Sequence, residues 1–93
     1  MAKAKPFDAA EYLDTPTRIA KYLEVAFESG DAGEVAAALG LVARARGMTA
    51  IANETGLSRE GLYRTLSADG RPEFSTVTKV LSAMGLKLAV RAA

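Results

Sequence analysis

Nineteen of the 93 residues are alanine, and only 27 carry an apolar side chain larger than alanine. So few bulky groups can fill one small core, and the elements around it must be thin enough to pack closely. Alanine and leucine favour helices, while the β-branched and aromatic residues that build sheets are sparse here. The composition predicts a single all-α domain, near the lower size limit for a self-sufficient core. Cysteine and histidine are both absent. That removes disulfides, thiolate and imidazole metal ligands, thiol nucleophiles and imidazole bases. No pair of carboxylates stands at a catalytic spacing either. The chain reads as one that binds rather than reacts, with no cofactor and no metal.

Helix starts and stops divide the chain. Residues 1–14 form a lead-in, with a turn or two of helix after Pro6. Thr15-Pro16 is a helix start, a hydroxyl cap followed by proline where its missing N–H costs nothing. Ile19, Leu23, Ala26 and Phe27 then keep helical spacing as far as Ser29-Gly30. Asp31 with Glu34 three residues on opens a second helix in capping-box style. Its stripe is Val35, Ala38, Leu39 and Val42, and Gly47 stops it. Thr49 is expected to cap a third helix ending at Gly56, Ser58 a fourth over residues 59–66, and Ser75 a fifth ending at Gly85. Residues 67–72 are a loop, marked by Asp69-Gly70 and Pro72. After Gly85, Leu86, Leu88 and Val90 alternate as in a strand. A lone strand must fray, be an illusion of the pattern, or pair with a copy from another subunit. The expected organisation is a helical domain over residues 15–85 and a C-terminal tail over 86–93.

Residues 48–66 have the spacing of a helix-turn-helix. Ala52 is small where a second helix would cross the first, and Gly56, four residues later, accepts the positive φ that the turn requires. Ile51, Leu57, Leu62 and Leu66 supply the apolar wedge, and Ser58 caps the second helix. On that helix's outward side lie Arg59, Glu60, Gly61, Tyr63 and Arg64. Arginine can bond guanine bidentately in the major groove, and tyrosine or serine can bond phosphate. Thr49 and Arg71 can reach phosphates from the flanks. Gly61 weakens an exposed helix, or else permits close approach to DNA.

The net charge of +1 hides a split. Residues 1–43 carry −3 and residues 44–93 carry +4, which suggests two unlike partners. Residues 1–6 lack an apolar leader, and the longest uncharged apolar run, residues 35–43, falls far short of the ~20 that span a bilayer. A cytoplasmic protein without a membrane segment is expected.

Tyr12-Leu-Asp-Thr-Pro16, Ala37-Ala-Leu-Gly40 and Ala45-Arg-Gly-Met48 are familiar, as are Thr55-Gly-Leu-Ser-Arg-Glu-Gly-Leu-Tyr63, Asp69-Gly-Arg-Pro72 and Met84-Gly-Leu-Lys-Leu88. In that order they resemble the addiction-module antidote proteins, HigA-type antitoxins with a Cro/repressor-like helix-turn-helix. The resemblance covers about residues 7–90. It implies a five-helix, lambda-repressor-like domain, here with a short C-terminal strand. It also implies two activities: neutralising a small RelE/HigB-type ribonuclease toxin, and repressing the shared operon as a dimer on operator DNA. Carried over by position, Ser58, Arg59, Gly61, Tyr63 and Arg64 read the DNA, with Thr49 near the backbone. Arg71 stands where a polar, uncharged residue is usual, and Thr49-Ala50 replaces a more polar helix start. An RNA-cleaving toxin must be basic, so the acidic Asp8, Glu11, Asp14, Glu24 and Glu28 are expected to face it. Leu86, Leu88 and Val90 are then candidate dimer contacts. A phage-type regulator without a toxin, and an interaction module that does not bind DNA, are the competing readings.

Overall fold

The computed structural model describes residues 9–93, and the chain is helical throughout its regular parts. A single turn, α1 (Ala9–Tyr12), leads into α2 (Pro16–Glu28), α3 (Ala32–Arg46), α4 (Met48–Thr55), α5 (Arg59–Thr65) and α6 (Phe74–Ala83). The described residues are all-helical, and the five helices after α1 match the expected number. Among the described residues there is no strand.

The starts of α2, α3 and α5 follow their capping residues. The Thr15 hydroxyl accepts from the Arg18 N–H at 3.2 Å, with Pro16 at the first helical position. Asp31 accepts from the Gly33 and Glu34 amides at 2.8 and 3.2 Å. The reciprocal half of that capping box is replaced, because the Asp31 N–H donates to the Ser29 hydroxyl at 3.1 Å. At α5, the Ser58 hydroxyl accepts from the Gly61 N–H at 2.9 Å.

Two expected caps are not caps. Gly47, at φ +103°, both ends α3 and begins α4, so α4 starts at Met48 and Thr49 lies inside its first turn. The two helices meet at 104° around that residue. A helix that begins directly at such a bend leaves no extended residue for a hydroxyl to cap from. At α6 the N-cap is Glu73, with no side-chain bond, and Ser75 is already helical. After Pro72 the N-cap Glu73 is still extended, and the chain turns helical at Phe74, one residue before Ser75.

α3 is the spine: α1, α2, α4 and α5 all pack against it, while α6 packs on α4. Leu13, Ile19, Leu39, Val42, Leu62, Leu66, Val80 and Met84 are the bulky side chains sealed between them. Among the described residues no polar or charged side chain is buried. Phe27, which continues the apolar spacing of α2, ends 39% exposed one residue before that helix stops at Glu28.

Residues 86–93 do not form the expected strand. The N–H of Leu86 donates to the Leu81 carbonyl at 2.9 Å and that of Gly85 to Ser82 at 3.0 Å. This is a Schellman closure of α6, with Leu86 folded back onto the core. Beyond it no strand lies among the described residues, so its backbone groups have no ladder there to join.

Candidate nucleic-acid interface

α4, the turn and α5 hold their arrangement through a short list of contacts. Ala52 is 7% exposed, small enough for α4 to lie close to its neighbours, and Ile51, Leu62 and Leu66 are buried around it, with Leu57 half-buried at the turn. Gly56 adopts φ +75°, and its N–H donates to the Ala52 carbonyl at 2.9 Å. Thr55 adds a tie that the sequence reading missed. Its hydroxyl donates to the Ile51 carbonyl at 2.8 Å and accepts from the Leu57 N–H at 3.3 Å, bridging helix and turn. A threonine directly before the turn glycine was the available signal.

With Leu62 and Leu66 turned inward, the opposite side of α5 is open. Ser58, Arg59, Glu60, Tyr63 and Arg64 are exposed there, and Gly61 is half-buried. The Arg59 guanidinium lies over the Tyr63 ring, 5.7 Å from its centroid. That cation–π contact restrains a long side chain without neutralising it. Among the described residues neither Arg59 nor Arg64 makes an ion pair, although Glu60 stands four residues before Arg64. α5 thus offers two unneutralised guanidiniums and an aromatic hydroxyl on one face. That set of donors fits phosphate oxygens and guanine edges.

Gly61 has a role within the chain as well. A Cβ there would stand 2.8 Å from the Ser58 hydroxyl oxygen that caps the helix. Thr49 is exposed on the first turn of α4. Arg71 is not grouped with the α5 residues. It follows the C-terminal end of that helix and lines a shallow hollow with Phe27, Gly30, Val35 and Val77.

The acidic residues are spread more widely. Glu11 is exposed on α1, and Asp14 is bound to Arg18 at 3.2 Å. Glu24 and Glu28 share one side of α2 with Lys87 and Arg91 of the tail, and Arg91 approaches Glu28 at 3.8 Å. Asp8 lies outside the described residues. The acidic and basic halves of the sequence therefore meet in space at the tail. Of the three residues expected at a dimer contact, Leu86 is partly buried in its own chain, while Leu88 and Val90 are exposed, the latter at 98%.

Comparison with known proteins places the chain in a family. Residues 3–92 match the family described as "Probable addiction module antidote protein". The chain belongs to that family. Its antidote role makes a toxin the implied partner and regulation, rather than catalysis, the implied activity. A protein of Haemophilus influenzae, described only as "Uncharacterized protein", is 44% identical to this antidote-family chain over 87 residues, covering 94% of this chain and 90% of its own. No solved structure matches.

Proposed function

We propose that this antidote-family protein is a cytoplasmic antitoxin that neutralises a small basic ribonuclease of the RelE/HigB type. As a dimer it also binds operator DNA through α4, the turn and α5, repressing its own operon. The observation that carries the DNA half is the outward side of α5. Arg59 and Arg64 stand unpaired among the described residues, on a helix braced from behind by Leu62 and Leu66. Neither cation has an ion pair to break before meeting a phosphate, and each phosphate neutralised releases counterions.

The toxin half rests on family membership and on the acids of the first helices. Glu11 and Glu24 carry no ion pair among the described residues, and Glu28 is only loosely held by Arg91 at 3.8 Å. These are available to a basic partner at little desolvation cost.

Co-expression with the neighbouring small reading frame tests this half. The two products are expected to copurify, and the double reversal Glu24→Lys with Glu28→Lys to weaken the complex, most at low salt. Failure to copurify would leave a stand-alone regulator. An undiminished complex with the double variant would remove the acidic face from the account.

A further inference from the structure

We propose that the outer face of the α2–α3 pair is a two-fold contact between two copies of this chain. The proposal gives an interface to the dimer of the preceding reading and rests on that reading for dimerisation alone.

α3 is apolar almost all round, the pattern of a helix covered on every side. Its inner residues Ala36, Leu39, Val42 and Ala43 are buried, but the opposite row is not. Glu34, Ala37, Leu41 and Arg44 follow one another at spacings of three and four, and so share a single stripe. With Tyr22 and Val25 of α2 that stripe lines a shallow groove of about 580 Å³. Val25 is 73% exposed, a β-branched apolar side chain held out into solvent in the middle of a regular helix.

The charges at the two ends select the occupant. Glu34 and Arg44 lie ten positions apart, ~15 Å along the helix, and neither forms an ion pair among the described residues. A basic toxin would gain at Glu34 and be repelled at Arg44. A second copy related by a two-fold axis across the middle of the stripe gains at both. Glu34 then meets the partner's Arg44 and Arg44 meets the partner's Glu34, while Leu41 and Val25 close the apolar centre. This is the self-complementarity that an isologous interface requires.

Sedimentation velocity on the full chain, without DNA or toxin, tests it. The wild-type chain is expected to sediment as a dimer of the 9.7 kDa protomer, and Leu41→Glu as a monomer. Glu34→Arg and Arg44→Glu are each expected to raise the dimer dissociation constant at least tenfold, by about the worth of a lost charge-assisted contact. The double swap is expected to restore it. That rescue separates contact from folding, because each reversal opposes the α3 dipole and the double variant is the least stable of the series. A wild-type monomer at all concentrations overturns the proposal, as does a dimer unaffected by Leu41→Glu, Glu34→Arg and Arg44→Glu alike. So does a dimer lost only with Leu88→Glu or Val90→Glu, which would put the axis at the tail. If the variants leave the isolated chain unchanged but release the co-expressed neighbour, the face belongs to the toxin and the proposal falls. A chain that passes or fails here can still be scored separately for operator binding.

Discussion

Gly40 of α3 lies against the carbonyl of Leu66, the residue that closes α5. A Cβ at Gly40 would collide with that oxygen, which is backbone and cannot rotate away. The spine and the proposed reading helix therefore approach as closely as their main chains allow, and Leu66, fully buried, is clamped from both sides. Gly40→Ala is expected to destabilise the chain by ~1–3 kcal/mol, the usual cost of overpacking. For a domain of this size that is a fall in Tm of ~4–8 °C per kcal/mol in a thermal melt. Gly30→Ala, where a Cβ meets nothing and only the positive φ is strained, is expected to cost less, ~1 kcal/mol. Equal losses would show that the α3–α5 approach is softer than described.

The cap assignments are testable in the same way. Ser58→Ala removes a hydroxyl that accepts at 2.9 Å and is expected to cost ~1 kcal/mol. Thr49→Ala and Ser75→Ala remove hydroxyls that cap nothing and are expected to stay within ~0.5 kcal/mol of wild type. Denaturant midpoints would order the three. A loss at Thr49 matching that at Ser58 would reinstate the capping role the sequence predicts for it.

Those two residues show why parts of the structure were legible and parts were not. Thr15, Asp31 and Ser58 follow stops and precede helical apolar spacing, so local chemistry alone decides them. Thr49 and Ser75 carry the same chemistry, but Gly47 and Pro72 had already committed the backbone upstream, and a one- or two-residue shift is beyond what periodicity resolves. Ala52, Gly56, Leu62 and Leu66 were readable because the close pairing of α4 and α5 admits few residue types at those positions. Arg91 against Glu28, by contrast, joins the tail to the end of α2, and no pattern along the chain foretells a contact of that separation. The tail misled for a related reason. Alternating Leu86, Leu88 and Val90 satisfy a strand's period, yet a strand is defined by a neighbour, and the described residues supply none.

Leu86 therefore has a different expected phenotype from the residues it alternates with. Its contact with the end of α6 belongs to the fold of one chain, so Leu86→Ala is expected to cost ~1–2 kcal/mol, about half the value of a fully buried leucine. Val90→Ala, at 98% exposure, is expected to leave stability within ~0.5 kcal/mol. Chemical denaturation of both variants at low protein concentration would check this. Equal effects would mean that the tail acts as a unit.

The central claim is that the outward side of α5 reads DNA, and a titration of a labelled duplex from upstream of the gene measures it most directly. Binding is expected to be tighter than to a scrambled duplex and to fall steeply with salt. Arg59→Ala and Arg64→Ala are each expected to cost ~1–3 kcal/mol, while Ser75→Ala binds as wild type. Equal affinity for both duplexes, or full binding by both arginine variants, would contradict it.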